Sequence, residues 1–376
     1  MSRAARWKLL GVGLALSLAL VGCASAEESA PQEGGGGDEG GSGSGSVEPA
    51  EQITGAGASF PAPFYSAVLQ QFAEEEGIQV NYQSIGSGGG REQFIRETVA
   101  FGASDEPMSD EEEEQAGGNP AHIATVGGAV VAAYNLETDC ELKLTGEVLA
   151  NIYLGNITTW DDPAIAELNP DCQLPSEQIA VVHRSDGSGT TNIFTSYLAA
   201  VSPEWESGPG AGGELSWPTG IGGDGNEGVA GLVQQTENSI GYVGLEYAAA
   251  NDIPFASIGE GGGNFVEPST DTAQAAISAI SGEIPDDLKV TVSSLAPQGE
   301  GVYPITGLTW MLVRRDMEDL ATCKAVAQTA WYVTHEGQEL APELNYVPIP
   351  DEIQTIDEAF IQEMEAEGEP CYTEGG

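Results

Sequence analysis

The chain has 376 residues, of which 59 are acidic and 11 are basic, giving a formal net charge of −48. That length fits about two domains rather than one small domain. Hydrophobic residues make up 40% of the chain, which is enough to build cores and excludes global disorder. The charge argues against nucleic-acid phosphates or anionic lipid headgroups as partners, so no nucleic-acid binding is expected.

The N-terminus is typical of an exported lipoprotein. Basic residues precede an apolar run at 9–21 that is too short to span a bilayer and ends just before Cys23. Small residues followed by a cysteine resemble a bacterial lipobox, which predicts a signal peptide at 1–22 and lipidation of Cys23. Such an anchor would hold the protein on the outer face of the cytoplasmic membrane or in the periplasm. An ordinary secretory signal with an incidental cysteine is the alternative.

A flexible acidic tether is predicted at 23–51. Residues 24–50 contain eight glycines, six acids and no basic residue, so they cannot bury a core. The mean reach of such a segment is about 30 Å. The folded part is therefore expected to begin near Gln52, clear of a membrane.

Beyond Gln52, short apolar runs alternate with helical patterns, which predicts an α/β fold with a largely parallel sheet. Residues 207–228 are rich in glycine and are predicted to be loops. Strands are predicted at 52–55, 80–85, 101–104, 126–134, 179–182, 240–243 and 305–313. Helices are predicted at 62–76, 91–98, 146–153, 190–201, 270–281, 320–334 and 351–364.

Three turns rich in glycine and hydroxyl side chains lie between a predicted strand and a predicted helix, at 55–60, 86–90 and 186–191. Glycine lets the backbone approach a ligand, and the following helix offers unpaired N–H groups and a partial positive charge. Such turns can cradle a small anion, although helix capping explains any single one. Three of them favour ligand binding, because open α/β folds bind ligands at the carboxyl ends of their strands.

Neither common nucleotide motif is complete. The chain has no Gly-Lys dipeptide and hence no Walker A loop, and Phe60 replaces the third glycine of a dinucleotide fingerprint.

Two charged residues lie beside these turns. Arg184 could bind an oxyanion in a bidentate manner; alternatively it is a surface arginine paired with Asp186, or Asp186 orients it for binding. Asp105 follows a predicted strand. It could accept a ligand proton or cap the acidic helix that follows.

Four cysteines besides Cys23 remain in the exported chain, and an even number predicts two disulfides. Proximity in sequence favours Cys140–Cys172 and Cys323–Cys371, although three pairings are possible. A zinc site is the alternative, but no Cys-x-x-Cys spacing occurs.

Four ordered motifs closely resemble the phosphate-binding proteins of bacterial phosphate ABC transporters: residues 53–63, 85–90, 101–105 and 184–190. The resemblance covers essentially all of residues 52–350. It implies a type II periplasmic-binding-protein fold with two α/β lobes joined by a two-strand hinge. One lobe would hold residues 52–126 and 303–376, and the other residues 127–302.

The resemblance also implies a function. Inorganic phosphate would be buried between the lobes and delivered to a permease and ATPase complex by a monomer without a cofactor. The implied phosphate contacts are Ser59, the backbone N–H of Phe60, Ser87, Asp105, Arg184, Ser188, Gly189 and Thr190. An ionised Asp105 can only accept a hydrogen bond, so it would favour phosphate, which carries a proton, over sulfate, which carries none.

Rival functions remain. Arsenate, sulfate or molybdate could be the ligand. A hydrolase is superficially suggested by His183, Asp186 and Ser188, but these fall within six residues and Gly-x-Ser-x-Gly is absent. The three histidines are scattered, which disfavours a metal-dependent phosphohydrolase. An acidic surface protein would leave the three turns unexplained, and the acidic run at 110–114 is either a solvated helix face or a calcium site.

Overall fold

The computed structural model describes residues 47–259 and 263–373. The predicted signal peptide, Cys23 and tether residues 23–46 lie outside the described residues. The strands are β1 (Gln52–Gly57), β2 (Gln79–Ser84), β3 (Phe101–Ser104), β4 (Ala121–Asn135), β5 (Lys143–Thr145), β6 (Ala180–Arg184), β7 (Ile221–Gly223), β8 (Ser239–Gly244), β9 (Ser257–Gly259), β10 (Phe265–Val266), β11 (Thr306–Val313), β12 (Asp316–Met317), β13 (Glu365–Ala366) and β14 (Glu369–Pro370).

The helices lie between these strands and after β12. They are α1 (Ala62–Glu76), α2 (Gly86–Ile95), α3 (Asp110–Gln115), α4 (Gly146–Leu154), α5 (Pro163–Ala166), α6 (Gly189–Val201), α7 (Pro203–Ser207), α8 (Gly225–Gln235), α9 (Leu245–Ala250), α10 (Thr270–Ala279), α11 (Leu320–Thr334) and α12 (Asp351–Gln362). Short 3-10 turns occur at Ser281–Glu283, Val292–Leu295, Glu336–Leu340 and Pro342–Leu344.

An eight-stranded mixed sheet runs through the molecule in the order β2-β1-β3-β11-β4-β8-β6-β7. The outer strands pair in parallel, as predicted: β1 with β2 and β3, and β6 with β7 and β8. The centre is antiparallel, because β11 pairs with β3 and β4, and β4 pairs with β8. The prediction of a largely parallel sheet therefore holds for the flanks but is wrong for the centre.

Strand β4 joins the two halves of the sheet. Its residues 121–129 pair with β11 and its residues 130–135 with β8. It begins five residues before the predicted start at 126, because polar residues interrupt the apolar pattern there. Those residues are buried with partners: His122 Nε2 accepts the N–H of Met108 at 3.1 Å, and Thr125 shares a hydrogen bond with Tyr65.

Helix α1 follows the prediction residue for residue because its apolar spacing matches a buried face. Phe64, Val68 and Phe72 are fully buried, and the ring of Phe72 contacts Tyr332 of α11 at 5.2 Å between centroids. Helix α11 also has its predicted bounds. Helix α1 packs on β2 and on α11, and α11 packs on β1 and β4.

Two glycine-rich segments form helices that their composition disfavours. Helix α2 begins at Gly86 rather than at the predicted residue 91. A Cβ on Gly90 would lie 2.5 Å from the Cα of Gly57, so only glycine lets this helix approach β1. The prediction that residues 207–228 are all loops is wrong, because β7 and the start of α8 lie within them.

The acidic helix α3 is capped by Ser109, not by Asp105, so the capping alternative for Asp105 is wrong. Two of its carboxylates are paired: Glu112 with Arg91 at 2.8 Å and Glu113 with Lys289 at 3.0 Å. No cluster of three or more His, Cys, Asp or Glu side chains suited to a metal ion occurs in the described part of the chain.

Both predicted disulfides are confirmed, and each joins Cα atoms 5.5 Å apart. Cys140–Cys172 links the segments around β5 and α5. Cys323–Cys371 ties the C-terminal segment to α11. Among residues 47–259 and 263–373, no helix is both long and apolar enough to cross a bilayer.

Candidate anion-binding site

Turns from both halves of the sheet converge at one buried point. The turn after β1 supplies Ser59, the start of α2 supplies Ser87, and the β6–α6 turn supplies Ser188. These hydroxyl residues are each at most 2% exposed. The three turns that the sequence analysis identified therefore surround one site, as expected from strands that end at the same edge of a sheet.

Ser87 joins two walls of this site: one is formed by the start of α2 and the residue after β3, and the other by the β6–α6 turn and the start of α6. Its Oγ accepts the N–H of Asp105 at 3.2 Å and the N–H of Gly189 at 3.0 Å. A second bond between the walls runs from the N–H of Gly88 to the carbonyl of Gly187 at 2.9 Å. The walls therefore meet through backbone and hydroxyl groups around the site.

Arg184 is the cation of the site and is only 3% exposed, so the interpretation as a surface arginine is wrong. Asp186 forms an ion pair with it, with Nε 2.7 Å from Oδ1 and Nη2 contacting Oδ2. The remaining nitrogen, Nη1, lies 3.4 Å from Thr190 Oγ1. Tyr242 holds the backbone, because its hydroxyl accepts the N–H of Arg184 at 3.0 Å. Asp186 and Tyr242 therefore orient a buried guanidinium toward α6.

The first turn of α6 contributes backbone donors. Ser188 is the N-cap and accepts the N–H of Thr191 at 3.1 Å, while Ser87 accepts that of Gly189. The first N–H groups of a helix have no partner within the helix. No acceptor among the described residues bonds to the N–H of Thr190. The N–H of the fully buried Phe60 likewise has no acceptor in residues 47–259 or 263–373. Both groups are thus donors available to an anion.

Asp105 is the carboxyl group of the site. It is 2% exposed, and its Oδ1 accepts a hydrogen bond from Thr309 at 2.7 Å. Burial raises the pKa of Asp105 to about 7, against the opposing effects of the Thr309 hydroxyl and the Arg184 charge. The start of α6 can approach Asp105 because residue 189 is glycine: a Cβ at Gly189 would lie 2.5 Å from the Cβ of Asp105. Asp105 can therefore hold or accept a proton near neutral pH.

Asn226, which is fully buried at the start of α8, also belongs to the site and is not among the residues predicted from the sequence. Its Nδ2 lies 3.0 Å from Ser59 Oγ and 3.0 Å from Thr190 Oγ1. The available signal was a fourth glycine-rich turn at 222–228, which follows the short strand β7 and precedes α8. The glycine-rich composition of residues 207–228 predicts loops throughout and therefore hides this turn.

Two tyrosines hold the backbone of the turn that follows β1. The hydroxyl of Tyr247 donates to the carbonyl of Ser59 at 2.6 Å, and that of Tyr346 donates to the carbonyl of Phe60 at 2.5 Å. Both tyrosines come from distant parts of the chain. The Ser59–Phe60 peptide is therefore fixed by tertiary contacts and not by its local sequence.

The residues that superficially suggested a hydrolase do not form a catalytic pair. His183 Nδ1 bonds to the carbonyl of Arg184 at 2.8 Å, and its ring stacks on Trp217 at 4.7 Å between centroids. The hydroxyl of Ser188 instead caps α6. No Ser–His hydrogen bond, as nucleophilic catalysis would need, joins these two residues.

Comparison with known proteins places the chain in a family. A model described as a PBP superfamily domain matches residues 41–328. The phosphate-binding protein PstS of Pasteurella multocida is 44% identical over 308 residues, which cover 81% of this chain and 88% of that protein. The chain belongs to the PstS family of phosphate-binding proteins. PstS of Haemophilus influenzae is 42% identical over 320 residues, covering 84% of this chain and 94% of that protein.

A solved structure supports the fold of this PstS family member. A high-affinity periplasmic phosphate-binding protein, PfluDING, solved with bound phosphate, superposes with a TM-score of 0.66 at 21% identity. The superposition covers 82% of this chain and 93% of that one. Likeness at this identity establishes the fold, which is the type II periplasmic-binding-protein fold that the sequence motifs implied.

Proposed function

We propose that this chain captures inorganic phosphate outside the cytoplasm and delivers it to the permease and ATPase of an ABC importer. One observation carries the proposal: hydroxyl and backbone donors and the guanidinium of Arg184 converge with the buried carboxyl of Asp105. The names of the PstS relatives agree with it. The proposed phosphate contacts are Ser59, the N–H of Phe60, Ser87, Asp105, Arg184, Ser188, Gly189 and Thr190.

Local dipoles explain how so acidic a protein holds an anion. Residues 51–376 contain 53 acids and eight bases, a net charge of 8 − 53 = −45. Salt screens exposed charges over about 8 Å at physiological ionic strength. Within the buried site, each hydrogen bond to a charged group contributes roughly 1.5–3 kcal/mol. Several such bonds, offset by ordering costs, support micromolar or tighter binding.

Asp105 is the proposed selectivity element. A phosphate monoanion or dianion carries at least one proton that this carboxylate can accept. Sulfate near neutral pH carries none, so its oxygen would face the buried carboxylate without a hydrogen between them. A mismatch of this kind can discriminate by about 10⁴-fold while Asp105 is ionised, which holds above its pKa of about 7. Arsenate is protonated like phosphate, so Asp105 does not separate those two ligands.

The division into two lobes and the attachment to the membrane belong to the same proposal. The proposed lobes, residues 52–126 with 303–376 and residues 127–302, would be joined through the central strands β4 and β11. Export by the segment 1–22 and acylation of Cys23 would anchor the protein beside its permease, at the end of the acidic tether. We propose no catalytic role, because the hydroxyl of Ser188 serves as a helix cap.

Titration calorimetry on the phosphate-stripped mature chain tests the proposal. At about pH 8.5, where Asp105 is mostly ionised, we expect a phosphate dissociation constant in the micromolar range or below, and sulfate binding weaker by about 10³-fold or more. Asp105→Asn should reduce the ratio of phosphate affinity to sulfate affinity. Ser66→Ala, which changes an exposed residue of α1, should leave that ratio unaltered. Equal affinity for phosphate and sulfate would refute the role of Asp105. Phosphoester turnover, with or without divalent metals, would instead favour an enzyme.

A further inference from the structure

The side chain of Asn226 lies directly behind two of the proposed phosphate-binding hydroxyls. It is fully buried, and its backbone N–H, Oδ1 and Nδ2 all have partners. Ser59 lies on the turn that follows β1, Thr190 lies on α6, and Asn226 lies in the first turn of α8. One carboxamide therefore connects three separate elements of the site.

The orientation of that carboxamide is fixed by Gly244. The backbone N–H of Gly244 lies 3.0 Å from Asn226 Oδ1. Because a backbone N–H can only donate, the side-chain atom that faces it must be the carbonyl oxygen. The amino group must then face Ser59 and Thr190, with one hydrogen for each hydroxyl oxygen.

This arrangement fills the acceptor positions of Ser59. A hydroxyl has one hydrogen to donate and two acceptor positions. Ser59 Oγ accepts the backbone N–H of Asn226 at 3.1 Å and its Nδ2 at 3.0 Å. The hydrogen of Ser59 must therefore point away from Asn226.

Thr190 is constrained in the same way. Its Oγ1 accepts from Asn226 Nδ2 at 3.0 Å and from Arg184 Nη1 at 3.4 Å. Both of these partners can only donate, because one is an amide N–H and the other a guanidinium. The hydroxyl hydrogen of Thr190 is left to be donated elsewhere.

We infer that Asn226 is a positioning residue that makes Ser59 and Thr190 hydrogen-bond donors toward the bound oxyanion. The inference rests on the proposed function and deepens it. Donors at these hydroxyls favour ligand oxygens that carry no hydrogen, whereas ionised Asp105 requires one that does. Asn226 and Asp105 together therefore specify an oxyanion that is protonated at one position and bare at the others.

A double-mutant cycle tests the inference by equilibrium dialysis of the phosphate-stripped mature chain with radiolabelled phosphate. Asn226→Ala should weaken phosphate binding by about 10- to 100-fold, because both hydroxyls are then free to rotate. In the Ser59→Ala and Thr190→Val backgrounds, the loss of phosphate affinity caused by Asn226→Ala should be smaller by at least about threefold, because one hydroxyl that Asn226 orients is already absent. A purely structural role would give the full cost in every background.

Asn226→Asp is the variant that should preserve the fold. The new carboxylate has the shape of the amide, still accepts from Gly244, and suits a helix N-terminus. Both hydroxyls would then donate to this carboxylate rather than to phosphate. We expect at least about 100-fold weaker phosphate binding with an unliganded unfolding midpoint within about 3 °C of wild type.

The outcomes separate two failures. Wild-type protein that binds no phosphate would overturn the proposed function, and this inference with it. Wild-type binding combined with fully additive losses in both backgrounds would overturn the inference alone. Asn226→Asp protein that binds phosphate within about threefold of wild type would overturn it independently.

Discussion

The backbone N–H of Gly189 donates to the hydroxyl of Ser87 at 3.0 Å, although 102 residues separate them in the chain. Ser87 accepts at the same oxygen from the N–H of Asp105. With its acceptor positions filled, the Ser87 hydroxyl has its hydrogen left to donate. This serine therefore both joins the walls of the site and is held as a donor within it.

Ser87→Ala should weaken both the fold and the site. The change leaves two buried N–H groups without a partner, which costs roughly 1–3 kcal/mol of unfolding free energy. Loss of the hydroxyl should weaken phosphate binding by about 10- to 100-fold. Urea unfolding and calorimetry measure the two effects, with Ser66→Ala as the exposed control. Unchanged stability would show that the bridge contributes little to the fold.

The contribution of Asp105 to the stability of the unliganded protein should fall as pH rises from 5 to 8. Its pKa is about 7 in the folded chain and about 3.9 when unfolded. Between these values the native state holds a proton that the unfolded state releases. Asp105 should therefore lower the unfolding free energy by about 2–3 kcal/mol between pH 5 and pH 8.

Asp105→Asn isolates this contribution. Burial also raises the pKa values of Glu246 and Asp357, which adds to the decrease, and lowers the pKa of His122 to about 3, which opposes it, so the wild-type slope has several sources. Urea unfolding at pH 5 and pH 8 should show a smaller decrease in the variant than in wild type. Equal decreases in the two proteins would mean that Asp105 is ionised in the native state across this range.

Arg184→Lys should not be a conservative change. The guanidinium contacts Asp186 through two nitrogens and reaches Thr190 with a third, which one ammonium cannot reproduce. We expect phosphate affinity to fall by about 10- to 100-fold in calorimetry. Arg96→Lys is the matched control, because Arg96 is exposed and pairs only with Glu92 among the described residues. An equal effect of both substitutions would indicate a general effect of charge or surface structure.

The two disulfides should stabilise the protein to similar extents. Their cysteines are 32 and 48 residues apart, and closing loops of that size is worth about 4 kcal/mol in the chain-entropy model. The Cys323→Ser/Cys371→Ser variant should lose about 2–4 kcal/mol in urea unfolding and become sensitive to proteolysis near its C-terminus. The Cys140→Ser/Cys172→Ser variant is the matched comparison and should keep a protease-resistant C-terminus. C-terminal cleavage at the same rate in both variants would contradict this account.

Local sequence was sufficient where side-chain periodicity matched a buried face. Helices α1 and α11 and strand β3 have their predicted bounds because apolar spacing decides each of them. It was insufficient for α2 and α8, which start in glycine-rich segments that favour turns. Close packing decides these starts, as the 2.5 Å approach at Gly90 demonstrates.

By itself the sequence determined the α/β class, the family and the polar turns at which a ligand could bind, because these depend on residue type and spacing, whereas it only favoured one of three cysteine pairings. Only the tertiary structure decided that Ser59, Ser87 and Arg184 share one buried site, and that Asn226 stands behind it. It also placed Asp105 away from water, where its pKa rises to about 7. The physical reason is that hydrogen-bond direction and desolvation depend on which distant segments meet, and no local pattern encodes that meeting.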